Sequence, residues 1–239
     1  MTIWNPWRGC HKHSEGCRFC YIHKGDLKHG INTENVVRTD KFNIPIEKYK
    51  RGSKKGEYKI QAGETVYLCF SSDYLLEEAD EWRKECWKII RERADLNFIF
   101  LTKRIERFHA CIPDDWGEGY ENVTVGCTIE NQQRADFRLS IFEHLPIKHK
   151  NIICQPLIEE IDISKYLKNI ELVVVGGESD YNARPLDYEW VLSIRQQCIN
   201  HGVKFNFRQC GSNFLKDGKI YKINARQLCS QARKANIDT

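Results

Sequence analysis

The sequence contains no apolar run that approaches the length of a membrane span. Its first residues do not show a charged region followed by an apolar stretch, which is the pattern of a secretory signal peptide. Internal repeats and low-complexity linkers are also missing. We therefore expect one cytoplasmic domain covering residues 1–239, without a membrane partner, and not a secreted protein or a repeat array.

A strong net charge is also lacking. The formal net charge is +4, which does not by itself imply a nucleic-acid partner. One basic segment, residues 47–57, carries five cations against two acids and could contact phosphate. A solvated surface loop is the favoured interpretation of this segment, and contact with nucleic acid is the less favoured one.

Cysteine is abundant, with eleven residues in the chain. An odd number would leave an unpaired thiol in a secreted protein, and most of these cysteines lie in apolar segments. This pattern predicts a reducing compartment and mostly buried thiols in place of disulfides.

Three cysteines are crowded near the amino end, in the pattern Cys10-x6-Cys17-x2-Cys20. A 4Fe–4S cluster normally takes four thiolates, so a loop with three would leave one iron open to a small molecule. Zinc is the competing interpretation, because it takes four ligands and three histidines lie nearby: His11, His13 and His23. The spacing alone does not separate an iron–sulfur site from a zinc site.

Short apolar segments alternate with amphipathic ones along the rest of the chain. This alternation predicts a parallel sheet with crossover helices, since strands that are apolar on both faces are typical of such sheets. We expect an α/β fold, specifically a partial (βα)6-type TIM-like barrel, with an irregular insertion at about residues 26–64. The predicted strands are 2–4, 66–70, 97–101, 123–127, 151–154, 172–175 and 204–207, and the predicted helices are 77–93, 131–144 and 187–201.

Polar residues follow most of the predicted strands, at the point where each strand ends. Chemistry in parallel α/β barrels takes place at this carboxyl edge of the sheet. We therefore predict an active site there. The candidate residues are Ser71, Ser72, Asp73, Lys103, Glu130, Asn131, Gln155, Glu178, Arg184 and Arg208.

Five separated motifs resemble the phage-associated radical-SAM-like family, which belongs to the radical SAM superfamily. The resemblance runs from residue 3 to about residue 213 and rests on residues 4–11, 101–104, 125–131, 174–185 and 207–211. Three features depart from the usual patterns. The superfamily spacing is Cys-x3-Cys-x2-Cys, and the family usually has Glu at the position of Gln155 and Trp at the position of Cys210.

The resemblance implies the radical SAM kind of barrel and two cofactors. A 4Fe–4S cluster would be held by the three cysteines and would bind S-adenosylmethionine (SAM) at its open iron. Reduction by an electron donor such as flavodoxin or ferredoxin would then generate a 5′-deoxyadenosyl radical. The implied SAM-binding residues are Phe19 beside the adenine, Ser71, Ser72 and Asp73 at the amino group, Lys103 at the carboxylate, and Glu130 with Asn131 at the ribose hydroxyls.

The resemblance also implies a substrate, because proteins similar to this family include a lyase that cleaves queuine to 7-aminomethyl-7-deazaguanine. A guanine-like base offers adjacent N–H donors, for which the Glu178 carboxylate would be the bidentate acceptor. Arg184 or Arg208 would meet a carbonyl or hydroxyl, and Gln155 would alter substrate choice by removing a carboxylate.

Two alternative functions stay open at this point. One is a radical SAM enzyme that repairs or modifies DNA or tRNA, which the basic segment at 47–57 motivates. The other is a non-enzymatic zinc-binding module. Simpler roles also remain for single residues: Lys103 as a surface cation, Glu178 as a turn cap, and Trp4 and Trp7 as core residues.

Overall fold

The computed structural model describes residues 2–239. The strands are β1 (Thr2–Trp4), β2 (Trp7–Arg8), β3 (Val37–Arg38), β4 (Thr65–Leu68), β5 (Asn97–Thr102), β6 (Val123–Thr128), β7 (His149–Cys154), β8 (Leu172–Gly176), β9 (Leu186–Asp187), β10 (Lys204–Gln209), β11 (Asn213–Lys216) and β12 (Lys219–Lys222). The α-helices are α1 (Tyr21–Lys28), α2 (Asp80–Glu92), α3 (Phe108–Cys111), α4 (Gln132–Phe142), α5 (Tyr188–His201) and α6 (Leu228–Lys234).

Seven strands form one curled parallel sheet in the order β1-β4-β5-β6-β7-β8-β10. Apart from the short strands β2, β3 and β9, each strand of this sheet lies beside the strand that follows it in the chain. This order is the one that crossover connections between parallel strands produce. The paired registers include Val66 opposite Phe98 and Val173 opposite Phe205. The sheet confirms the predicted α/β class and its seven strands, and its half-barrel curl is compatible with a partial barrel.

The three long helices that the apolar periodicity predicts are present. Helix α4 begins where the Asn131 side chain accepts a hydrogen bond from the Arg134 backbone N–H (2.9 Å), and α5 begins where Asp187 accepts one from Glu189. Helix α5 ends at Gly202, whose φ of +68° is a left-handed cap. The apolar periodicity also predicts which residues face inward, and all but half-buried Trp82 are buried: Cys86, Ile90, Ala135, Leu139, Phe142, Val191, Ile194 and Cys198.

The chain divides into two compact units. The first comprises Met1–His11, Asn32–Val125 and Pro146–His149. Its part of the predicted insertion holds β3, a 3-10 turn at Ile44–Ile46 and a bridge between Lys48 and Tyr58. Irregular structure in this segment is thus present, while the predicted single domain stays a prediction.

Aromatic side chains form the core of the first unit. Trp4 and Trp7 are fully buried, which confirms their prediction as core residues. Trp7 stacks on Tyr74 with ring centroids 5.5 Å apart, and Tyr74 also contacts Trp87 and Phe100. This cluster packs directly behind the loop that leads to Cys10, so the loop starts from a rigid base.

The second unit comprises Lys12–Ile31, Gly126–Leu145 and Lys150–Thr239. It includes a small sheet in the order β12-β11-β9, which the sequence patterns do not predict. The β11–β12 hairpin turns through Asp217 and Gly218, both with positive φ (51° and 71°), as a type I′ turn requires. Within residues 2–239, no helix is both long and apolar enough to cross a membrane.

Candidate functional site

The three cysteines of the amino-terminal loop differ in exposure from most of the others. Cys10, Cys17 and Cys20 are half-buried, whereas the remaining eight are buried except for half-buried Cys229. Burial raises the pKa of the Cys198 thiol to about 12 and that of Cys210 to about 11. Thiols of that kind are poor sources of thiolate, so the loop cysteines are the better placed metal ligands.

The cysteines form no disulfide within residues 2–239, and seven of the eleven are buried, which confirms the prediction of mostly buried thiols. The described part of the chain also contains no group of three or more His, Cys, Asp or Glu side chains arranged to hold a metal ion. Of the histidines considered as zinc ligands, His11 instead pairs its Nε2 with the Glu78 carboxylate. The iron–sulfur site and the zinc site therefore both stay predictions.

In the first unit, the backbone around Cys10 is held from two sides. The Cys10 N–H donates to the Thr33 carbonyl (2.8 Å), and the Ser72 hydroxyl donates to the Gly9 carbonyl. Gly9 has a φ of +94°, and a Cβ there would lie 2.7 Å from the Asn35 carbonyl oxygen. Only glycine fits this position, so the path of the chain into Cys10 is fixed.

Asp73, which follows β4, is buried and accepts four hydrogen bonds. Its donors are the Thr102 hydroxyl (2.7 Å), the backbone N–H groups of Lys103 (2.9 Å) and Leu75 (3.0 Å), and the Arg104 guanidinium (3.1 Å). Arg104 in turn donates to the His11 carbonyl at 2.8 Å. The carboxylate thus holds a buried arginine against the residue next to Cys10.

The two remaining predicted residues of this unit, Ser71 and Lys103, differ in whether their side chains form hydrogen bonds within the protein. The Ser71 backbone N–H donates to Asn5 Oδ1 (3.1 Å), and its hydroxyl donates to the Trp7 carbonyl (3.4 Å). The half-buried Lys103 ammonium, by contrast, has no hydrogen bond or ion pair among residues 2–239. Lys103 is therefore a cation that can still meet a carboxylate ligand.

In the second unit, Cys17 and Cys20 lie on one short turn. Cys17 ends a 3-10 turn that begins at Glu15, and the Cys20 N–H donates to the Cys17 carbonyl (3.4 Å) just before α1. The Gly16 N–H donates to Glu130 Oε1 at 3.3 Å. A Cβ at Gly16 would lie 3.2 Å from the Glu130 carboxyl carbon, so the turn rests closely on that side chain.

Glu130 is fully buried and forms an ion pair with fully buried Arg138. The Arg138 Nη1 lies 2.7 Å from Glu130 Oε2 and also donates to the Thr128 carbonyl. The sequence analysis predicts ribose contacts for Glu130 and Asn131; here Glu130 supports the cysteine turn and Asn131 caps α4. The sequence gives no sign of Arg138, which lies within the predicted apolar stripe of α4.

Glu178 and Arg184, both predicted to contact substrate, pair with each other. Arg184 donates to Glu178 through its backbone N–H (2.9 Å) and its guanidinium. The same guanidinium donates to the Glu15 carbonyl (2.9 Å) and lies 5.7 Å from the centroid of the Phe19 ring. This pair therefore holds the cysteine turn on the side where Phe19 lies.

The turn that carries Cys17 also contacts helix α4 through the side chain of Glu15. Arg134 donates to both carboxylate oxygens of Glu15, each at 3.0 Å. The hydrogen bond from Arg134 lowers the pKa of Glu15 from 4.5 to about 2. Neither residue is among the predicted site residues, because both belong to polar stretches typical of exposed surface.

Two glutamines flank the end of β8. Gln155 precedes a cis peptide bond to Pro156, and a Cβ at Gly176 would lie 3.1 Å from its side-chain amide carbon. The same Cβ would lie 3.0 Å from Gln209, whose amide donates to the Gly177 carbonyl (2.6 Å). The Gln155 amide itself forms no hydrogen bond within the described residues, so it is available to a polar ligand.

Arg208 is exposed, and its guanidinium makes no hydrogen bond or ion pair among residues 2–239.

Three carboxylates that follow strands are paired with arginines, and each of these pairs contacts the backbone of the cysteine loop within its own unit. The pairs are Asp73–Arg104, Glu130–Arg138 and Glu178–Arg184.

A family model described as "Protein of unknown function (DUF5131)" matches residues 1–236. The chain belongs to the DUF5131 family. Neither a curated protein nor a solved structure matches the DUF5131 chain. The guide to its chemistry is therefore the half-buried loop thiols, together with Lys103, Gln155 and Arg208, whose side chains make no hydrogen bond or ion pair among the described residues. Thiols are soft metal ligands, and the cation and amide suit a zwitterionic or heterocyclic ligand.

Proposed function

We propose that the protein is a radical SAM enzyme, in which Cys10, Cys17 and Cys20 hold a 4Fe–4S cluster. When bound, such a cluster supplies the electron that cleaves SAM and yields a 5′-deoxyadenosyl radical. The donor set fits this group, because three thiolates leave one iron for SAM.

One observation carries the proposal: the three half-buried thiols lie on backbone that buried and half-buried side chains hold in place. Arg104 holds the His11 carbonyl, Glu130 holds the Gly16 N–H, and Arg184 holds the Glu15 carbonyl. An ordinary surface loop does not require three buried or half-buried ion pairs to fix its path. Ligand loops do, because thiols must be prepositioned for the metal.

The proposal assigns different tasks to committed and uncommitted residues. Lys103 binds the SAM carboxylate, since its ammonium has no other partner among the described residues. Phe19 packs against the adenine, and Arg184 holds that side of the turn in place. Asp73, Glu130 and Glu178 act as positioning residues, because their carboxylates are already occupied by arginines.

For the substrate we propose a nucleobase, with queuine as the specific candidate and 7-aminomethyl-7-deazaguanine as the product. The family resemblance supports this choice, and the Gln155 amide supports it by offering both a donor and an acceptor to a heterocycle edge. Arg208 adds a cation that can donate to a carbonyl oxygen. A small reducing protein such as flavodoxin or ferredoxin would supply the electron.

Product analysis tests both levels of the proposal. The anaerobically prepared protein is incubated with SAM, a chemical reductant and queuine, and the products are identified by mass spectrometry. We expect 5′-deoxyadenosine together with the aminomethyl base, and neither product from Cys20→Ala. Deoxyadenosine without a changed base would reject queuine as the substrate, and absence of both products from the iron-loaded protein would reject the activity itself.

A further inference from the structure

The β11–β12 hairpin presents an unusual exposed surface in the second unit. All four residues of β12 are exposed, although β12 is the edge strand of its sheet and carries two large apolar or aromatic side chains. Ile220 is 50% exposed and Tyr221 is 41% exposed, while nearby Tyr181 is 73% exposed. We call the following residues the hairpin surface: Tyr181, Lys216, Lys219, Ile220, Tyr221 and Lys222.

Lysines lie beside rings on both faces of the hairpin: side chains alternate between the two faces of a strand, so Lys219 and Tyr221 share one face and Ile220 and Lys222 share the other. Each of its three lysines lies near a tyrosine ring, with ammonium-to-centroid distances of 5.1 to 5.3 Å. The partners are Tyr188 for Lys216, Tyr221 for Lys219, and Tyr181 for Lys222. The strand pairing places Lys216 directly opposite Lys219, so two positive charges lie side by side on one face of the hairpin.

The charge of the hairpin is strongly one-sided. Residues 213–226 contain four cations and one acid, Asp217 in the turn. Exposed edge strands are usually protected by charge, and lysines serve that purpose. Edge protection alone does not account for this surface, because Ile220, Tyr221 and Tyr181 also leave apolar side-chain area in water. A partner that is both anionic and aromatic would satisfy both features.

We propose that the hairpin surface binds single-stranded nucleic acid. The single strand crosses the exposed edge β12, where lysines from both faces of the hairpin contact its phosphates, and Tyr181 and Tyr221, on opposite faces, stack on its unpaired bases. Charge complementarity selects a polyanion, and the exposed rings select one with accessible planar bases. A duplex hides its base faces, and an acidic protein segment offers charge without such faces. This inference goes beyond the proposed function and does not depend on a cluster or on SAM.

The hairpin surface is connected to the candidate site through β11. The Asn213 amide donates to the Tyr181 carbonyl (3.4 Å) and to the Ala183 carbonyl. These carbonyls belong to the loop between Glu178 and Arg184. A strand stacked on Tyr181 therefore lies against the same loop that carries the Glu178–Arg184 pair.

Fluorescence anisotropy with a labelled single strand of about 12 nucleotides tests the inference without iron or SAM. We expect binding that weakens with salt, and the salt slope should fall by about 1.4 in Lys219→Ala/Lys222→Ala, since each lost phosphate contact removes about 0.7. Tyr181→Ala should bind about tenfold more weakly, whereas Tyr181→Phe retains its affinity. Lys54→Ala/Lys55→Ala is the charge-matched control and should bind like the wild type.

Several results would overturn the inference. They are no binding at low salt, equal losses in the two double-lysine variants, an unchanged affinity of Tyr181→Ala, and preferential binding of duplex. Dimerisation that the hairpin variants abolish would assign the surface to a second copy of the chain. Melting curves followed by circular dichroism confirm that the variants are folded, and this exposed surface tolerates substitution.

Discussion

Replacing Asp73 by Asn tests whether the carboxylate–arginine pairs brace the cysteine loop. The Asp73 carboxylate is only 7% exposed and faces Arg104, which is 9% exposed. Asp73→Asn removes the negative charge and replaces one acceptor oxygen by an amide that donates. The variant leaves a buried guanidinium without its counter-charge, and such losses typically cost about 3–5 kcal/mol.

That magnitude is large against the stability of a typical domain, about 5–15 kcal/mol. Urea unfolding of Asp73→Asn should show a lower midpoint, followed by both tryptophan fluorescence and circular dichroism to detect separate transitions of the two units. Glu81→Gln is the matched control, because the Glu81–Lys84 pair is 81% and 69% exposed and its loss should have no measurable effect.

A double-mutant cycle with Arg104→Met separates the pair from general disruption. If the two side chains stabilise each other, the double variant should lose clearly less stability than the sum of the single losses. A loss below about 1 kcal/mol for Asp73→Asn, or full additivity in the cycle, would refute the bracing role.

Three further predictions concern single residues. The hydrogen bond from Arg134 lowers the pKa of Glu15 from 4.5 to about 2, so the stabilisation by the Glu15 carboxylate should be present above about pH 4.5 and disappear as the pH falls to about 2. The melting temperatures of the wild type and Glu15→Gln should therefore converge over that range. The largest difference between the two proteins should be worth at most about 1 kcal/mol. Gly177→Ala places a Cβ 2.8 Å from backbone and should lower the unfolding free energy by about 1–3 kcal/mol, whereas Gly25→Ala, with open space in α1, should raise it slightly. Lys103→Met should weaken SAM binding in calorimetry without lowering the melting temperature, and an unchanged affinity would remove Lys103 from the SAM site.

Much of the sheet and its helices follows from the sequence for a simple reason. The segment from Leu172 to Val175 is apolar on both faces, which suits a strand covered on both sides. Helix α5 carries its own start and stop signals in Asp187 and Gly202. By contrast, α1 has no buried residue and β12 is exposed along its whole length, so neither shows an apolar pattern.

The candidate site was only partly predictable. Polar residues at strand ends can be located from the sequence, since each follows a recognisable apolar run. Their partners cannot be located in this way, because Asp73, Glu130 and Glu178 pair with arginines that only the folded chain brings close to them. Arg138 shows the difficulty best: it is fully buried on α4, at a position where charge normally indicates solvent.

The central claim is tested most directly by the metal content of the anaerobically purified protein. The account predicts a brown protein with about four irons and matching sulfide per chain, lost in Cys17→Ala and retained in Cys229→Ala. A colourless protein with one tightly held zinc, or equal iron in the two variants, would contradict it.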